Sequence, residues 1–217
     1  MTGMTYEATV QYVVEPLYAI QKLTDEQLKP LWDEVNYIKS IMDGDDSSLN
    51  DARKDLAGNI SKEYFLSPEA INYVETLLSP LVQEFTAKKD IHRREIWSNA
   101  TIVIKTLWVN FSRKHEFNPV HDHSGVLSFV IWLDIPYDIE DELKVQSVKN
   151  SRFPLAGKFS FYYTSPSGII ASQTIDVDRK MNGIVTLFPS GLKHEVFPFY
   201  TSDDYRITIS GNYFYDN

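Results

Sequence analysis

The sequence predicts a mainly β protein with helices on its N-terminal side: an antiparallel sandwich or barrel carrying those helices on one outer face. Three observations carry this. Between Thr24 and Lys88 two stretches place apolar residues at helical spacing. From Trp97 onward six short runs rich in β-branched and aromatic residues follow one another. Turn signals such as Ser165-Pro-Ser-Gly168 and Asn182-Gly183 separate those runs. Helices first and consecutive strands afterwards argue against the alternating order of a parallel sheet.

Taken in order, Tyr6 to Val14 reads as an opening strand. Thr24-Asp-Glu-Gln27 has the form of a capping box, and Leu28, Leu31, Trp32, Val35, Ile38 and Ile41 then repeat at helical spacing. Pro30 removes a backbone donor, so the regular helix is expected only from about residue 30, running to 43. Asp43 to Ser48 is a loop by composition, and Leu56 to Ile60 and Tyr64 to Leu66 read as short docking segments. Ser67-Pro68-Glu69 starts a second helix, near 68–88, which Pro80 is expected to kink or split. Strands are expected over Trp97–Phe111, Leu127–Ile135, Lys158–Thr164, Ile169–Val177, Gly183–Phe188 and Tyr205–Phe214. Asp138 to Glu142 reads as a solvated charged loop, and Tyr162-Tyr163 and Phe197 to Tyr200 as core packing rather than a substrate entrance.

At 217 residues the chain is expected to be one domain, 1–217, with a supporting region over 1–96 and a β core over 97–217. Its formal net charge of −9 argues against a nucleic-acid partner, which needs a basic face. The basic knot Lys88 to Arg94 reads as a solvated helix end. There is no cysteine, so disulfides and thiolate metal sites are excluded, leaving histidine and carboxylate ligands. No apolar run suits a membrane span and Met1 to Ile20 holds no signal peptide, so the expectation is a cytoplasmic protein.

The chemistry concentrates in Asn118-Pro-Val-His121-Asp122-His123-Ser124-Gly125. On a strand, residues i and i+2 share a face, so both imidazoles can meet one metal ion. His194 follows in Leu192-Lys-His194-Glu-Val196, and Arg206 in a strand on which Arg206, Thr208, Ser210 and Asn212 share a face. A lone histidine in a β protein is usually structural, and His92 and His115 are read so. The ordered set His121, His123, His194 and Arg206 instead points to a mononuclear metal site with an anionic co-substrate.

Trp108-Val-Asn110, Asn118 to His123, Leu127-Ser128, Asp134-Ile-Pro136, Gly157 to Phe161, Leu187 to Ser190, Leu192 to Val196 and Arg206 to Asn212 occur in an order that resembles the iron(II)- and 2-oxoglutarate-dependent oxygenases. The likeness is to short phage and marine-bacterial members related to prolyl 4-hydroxylases, and it covers Trp97 to the C-terminus. It implies a double-stranded β-helix (jelly-roll), Fe(II) and 2-oxoglutarate as cofactors, dioxygen and a small-molecule or peptidyl substrate as partners, and, for a phage-encoded chain, the host cytoplasm. It makes His121 the first metal ligand and His194 the distal one, with Arg206 and Thr208 on the far carboxylate of 2-oxoglutarate and Asn110 beside the co-substrate.

His123 departs from the pattern, where the family has aspartate or glutamate. Three readings stay open: all-histidine ligation by His121, His123 and His194; a bulge that turns Asp122 inward; or loss of iron affinity. The functional alternatives are a cupin-like all-histidine metalloenzyme without 2-oxoglutarate, and a catalytically silent jelly-roll binding module. The sequence leaves the substrate and the oligomeric state open.

Overall fold

The computed structural model describes residues 18–87, 101–165 and 167–216. The expected strand at Tyr6–Val14, the knot Lys88–Arg94 with His92, and the start of the Trp97–Phe111 run lie outside them. Strand β1, Ala19–Lys22, leads into helix α1, Asp25–Ile41. Thr24 and Gln27 close the capping box reciprocally: the Gln27 N–H donates to Thr24 Oγ1 at 3.3 Å and the Thr24 N–H to Gln27 Oε1 at 2.9 Å. Helix α2, Pro68–Ala87, follows the short strand β2, Glu63–Phe65, and Ser67 Oγ accepts from the Ala70 N–H at 3.1 Å.

Both helices run through their prolines, contrary to expectation. Helix α1 starts at Asp25 rather than at Pro30, and α2 continues past Pro80 as one element. The carbonyls that each proline deprives of a donor belong to Glu26 and Thr76, both exposed residues, where solvent can take the donor's place.

Two sheets carry the rest, with every named strand pair antiparallel. The six-stranded sheet runs β1, β8 (Ile184–Pro189), β5 (Leu127–Asp134), β10 (Arg206–Tyr215), β3 (Ile102–Ser112), β2. The four-stranded sheet runs β4 (Asn118–His121), β9 (Lys193–Val196), β6 (Lys158–Thr164), β7 (Ile170–Asp176). This is the expected jelly-roll with helices on one face. The outer face of the large sheet buries Leu107, Val109, Phe111, Ile207 and Ile209 together with Leu31, Val35, Val74 and Leu78 of the helices. Its inner face contributes Val130, Trp132 and Phe188 to a second core with Phe159 and Phe161 of the small sheet. Alternation along β3, β5 and β10 thus serves a helical layer on one side and the second sheet on the other.

The six long strands lie within about two residues of their expected bounds, apart from the undescribed start of β3. Strands β1, β2, β4 and β9 have three or four residues each, too few for a periodic pattern to show. The reading of Asp138–Glu142 as a solvated loop is corrected. It contains a helical turn, α3 (Ile139–Glu142), and the buried Glu142 carboxylate accepts the backbone N–H groups of Tyr200 and Thr201, each at 2.8 Å. Among the described residues no helix is long and apolar enough to cross a membrane.

The turn between β4 and β5 depends on Gly125. Its φ is +112°, and a Cβ there would lie 2.5 Å from the Tyr213 carbonyl oxygen. Gly125→Ala is expected to cost about 1–3 kcal/mol in backbone strain alone. Urea unfolding of the two proteins checks this, and an unchanged midpoint would contradict it.

Candidate metal centre

Strands β4 and β9 set the first two imidazoles. Asn118 pairs with Val196 and His121 with His194, so β4 spends one residue more than β9 between the two pairs. The bulge contains Pro119, whose missing N–H suits an interrupted ladder. It delivers His121 directly opposite His194, with ring centroids 4.2 Å apart. His121 Nδ1 lies 2.7 Å from the Pro119 carbonyl and His194 Nδ1 2.8 Å from that of Leu192. A carbonyl only accepts, so both Nδ1 atoms carry the proton and both Nε2 lone pairs are free for a metal.

His123 lies beyond the end of β4, not within the strand. Its backbone N–H donates to the Ser190 carbonyl at 2.9 Å. Ser190 Oγ in turn meets Ser128 Oγ at 2.9 Å, Ser128 donates to Asn212 Oδ1 at 2.7 Å, and Asn212 Nδ2 donates to Thr106 Oγ1 at 3.2 Å. This chain ties the His123 backbone, through the turn after β8, to the three strands β5, β10 and β3. The His123 ring centroid sits 4.9 Å from that of His121 and 5.0 Å from that of His194. One ligand nitrogen from each ring lies within 4.8 Å of the other two.

Burial keeps these rings neutral. Desolvation, and then the two neighbouring imidazoles, push His194 down to about 3. Desolvation and then His121 lower His123 to about 4, and desolvation lowers His121. Three neutral imidazoles around one point, two of them with their tautomer set by a carbonyl, fit a first-row divalent metal. Asp122 is turned the other way: its carboxylate meets Lys193 Nζ at 2.8 Å, and both side chains are about half exposed. In this structure no bulge brings Asp122 inward. The bulge exists two residues earlier and serves His121.

Arg206 is fully buried and lines the same cleft between the two sheets. Its Nη1 donates to the Phe197 carbonyl at 2.9 Å and to Tyr137 Oη at 3.3 Å, and its guanidinium lies 5.2 Å from the centre of the Phe199 ring. Its Nη2 is buried without a hydrogen-bond partner among the described residues. A buried guanidinium facing only neutral acceptors is costly, and a carboxylate is the group that suits it. Thr208, two residues along the same face, accepts from Asn110 Nδ2 at 2.9 Å. Val130, Trp132, Phe159 and Phe188 supply the apolar lining.

The structure therefore brings together all six residues singled out in the sequence. His115 packs edge-on against Tyr200 and is not part of the lining. Phe199 is core, stacked on Tyr137 with ring centroids 4.7 Å apart. Sequence reasoning missed Glu63, which lines the cleft from β2, and gave no role to Ser190, which anchors His123. Neither carries a local signal: one sits in a three-residue strand, and the other acts through its carbonyl.

Residues 106–212 match a family model described as "Putative 2OG-Fe(II) oxygenase". No curated protein sequence matches the chain. Among solved structures, a Pseudomonas putida prolyl-4-hydroxylase aligns with a TM-score of 0.55 at 14% identity, covering 93% of this chain and 94% of that one. A Trichoplax adhaerens prolyl hydroxylase, in complex with a hypoxia inducible factor peptide fragment, gives 0.53 at 14% identity over 92% and 83%. A viral collagen prolyl hydroxylase from Paramecium Bursaria Chlorella virus-1, as its 2-oxoglutarate complex, gives 0.52 at 10% identity over 91% and 96%. At these identities the structural likeness speaks for the fold.

Proposed function

We propose that this chain, which belongs to the iron(II)- and 2-oxoglutarate-dependent oxygenases, is a hydroxylase whose metal is held by His121, His123 and His194 alone. The family uses iron(II), 2-oxoglutarate, dioxygen and a substrate. The observation that carries the reading is Arg206: a buried guanidinium with a free donor in the cleft that also holds the three imidazoles.

Iron(II) with 2-oxoglutarate supplies the power to oxidise a C–H bond by dioxygen. The chain's own residues do the positioning. His121 and His194 keep their protons on Nδ1, against the Pro119 and Leu192 carbonyls, and offer Nε2 to the ion. Arg206, already held through Nη1 by Phe197 and Tyr137, would offer Nη2 to the far carboxylate of 2-oxoglutarate, together with the Thr208 hydroxyl. Asn110 fixes Thr208 through its amide, which would hold the hydroxyl for the co-substrate. Trp132, Phe159 and Phe188 exclude water from the reacting end. A cupin-like enzyme without 2-oxoglutarate has no use for such a carboxylate clamp, so Arg206 disfavours it. The substrate is read as a peptide side chain or a small molecule. The edge strands β1 and β2, both from the first 96 residues, flank the six-stranded sheet, which supports reading 1–217 as one domain.

Two outcomes are expected. His121→Ala and His194→Ala each lose stoichiometric iron(II) binding, while Asp122→Asn keeps it, measured by anaerobic titration. Stoichiometric iron in a histidine variant, or its loss in Asp122→Asn, would contradict the ligand set. Arg206→Met binds iron but weakens 2-oxoglutarate by roughly 2–5 kcal/mol, the scale for one partner lost from a buried charged pair. The visible charge-transfer band formed anaerobically with iron(II) reads that affinity, and equal affinity in both proteins retires the co-substrate role.

A further inference from the structure

Glu63 sits on β2, at the edge of the six-stranded sheet, and is fully buried while lining the same cleft as the imidazoles and Arg206. Neither of its carboxylate oxygens has a hydrogen-bond partner among the described residues. Burial, and after it the Glu116 carboxylate, push its pKa up to about 7. An unpaired carboxylate in such a place is expensive to keep, so its purpose has to be sought in what it faces.

Local explanations fail in turn. Arg53 is already held by Asp51, at 2.6 and 2.9 Å, and by the Ser61 carbonyl. Glu116 accepts the Ser61 and Arg113 N–H groups and offers Glu63 nothing but like charge. Glu63 is not a member of the three-histidine cluster, so it is not a fourth member of the ligand set. Arg206 belongs to the other end of the cleft. Glu63 pairs with Asn110 and Asn110 with Thr208, whereas Arg206 pairs with Ser112, two residues further along β10. Two strand spacings of about 4.8 Å thus put the Glu63 and Arg206 Cα atoms roughly 10 Å or more apart.

The carboxylate is also given room. A Cβ at Gly58 would lie 2.7 Å from Glu63 Oε1 and 3.0 Å from Asn118 Nδ2, so glycine there admits both side chains. Next to Glu63, Asn110 turns its amide nitrogen to Thr208, which leaves Asn110 Oδ1 buried without a donor. Three buried acceptor atoms without a donor among the described residues therefore belong to two cleft-lining residues on adjacent strands. 2-Oxoglutarate cannot satisfy them, because at neutral pH it has no N–H or O–H to donate and would bring like charge. The remaining occupant of the cleft is the primary substrate. A cation relieves the burial of a carboxylate more than a neutral donor does.

We infer that Glu63, with Asn110 Oδ1, anchors a cationic nitrogen group of the primary substrate, an ammonium or a guanidinium. The substrate class is then a basic amino-acid side chain or an amine, and Glu63 determines specificity. This rests on the oxygenase reading above, with Arg206 holding 2-oxoglutarate at the opposite pole.

The test uses the full chain, loaded anaerobically with iron(II) and 2-oxoglutarate, and titrated calorimetrically with four probes. These are the N-acetyl methylamides of lysine and arginine, and of the neutral norleucine and 6-hydroxynorleucine. At least one cationic probe is expected to bind about tenfold or more tighter than both neutral ones, the scale of a hydrogen bond to a charged group. Glu63→Gln, which keeps the shape and removes the charge, is expected to abolish that preference while keeping the charge-transfer band. Without probe it should melt no lower than the wild type, since it loses a charge and no bond. No cation preference in the wild type, including no binding of any probe, overturns the inference. So does a preference that survives in Glu63→Gln, or a lower melting temperature in that variant, which marks a structural role. Absence of the charge-transfer band in the wild type overturns instead the co-substrate reading, and the inference with it.

Discussion

The pairing register of β4 with β9 decides whether this protein has a site at all. A strand has a period of two, so a slip of one residue would turn either imidazole to the opposite face. The register is pinned from both sides. On β4 the bulge at Pro119 absorbs the extra residue, and on β9 the chain continues into the Phe197 carbonyl that holds Arg206. His123 is placed independently, by a backbone bond to Ser190 and the buried serine–asparagine chain behind it. Two different devices thus converge on one point, one a ladder register and the other a side-chain network.

Polarity inside the cleft is divided rather than spread. The centre holds three imidazoles kept neutral by burial, so the ligand set itself brings no charge. At one pole a guanidinium has a free donor, and at the other a carboxylate and an amide oxygen have free acceptors. The family pattern would place a carboxylate on the metal. Here the buried carboxylate of the cleft is displaced onto β2, outside the ligand cluster, where it is available to a different partner. Tryptophan and phenylalanine side chains between the poles keep the dielectric low, which strengthens each polar contact a ligand makes.

What was legible in the sequence followed from periodicity and spacing. The long strands, both amphipathic helices and the facing set Arg206, Thr208 and Ser210 declare themselves over many residues. The prolines misled, because a break predicted from Pro30 or Pro80 ignores that the orphaned carbonyls belong to exposed residues. Glu142 misled for the opposite reason: an acidic run reads as solvated, yet one of its carboxylates is needed to satisfy the backbone at Tyr200 and Thr201. Strands of three or four residues have no period to detect, and with them Glu63 stayed hidden. The choice between His123 and Asp122 was open in the sequence because a bulge changes which face a residue takes, and only the register locates the bulge.

Anomalous diffraction from crystals of the iron(II)-loaded protein separates an all-imidazole metal set from one that includes Asp122. The predicted result is one iron peak at Nε2 of His121 and His194 and a ring nitrogen of His123, each about 2.0–2.1 Å away by analogy with zinc–imidazole bonds. Lys193 should remain on Asp122. An iron peak bound by the Asp122 carboxylate, or one coordinated by only two of the three histidines, would contradict it.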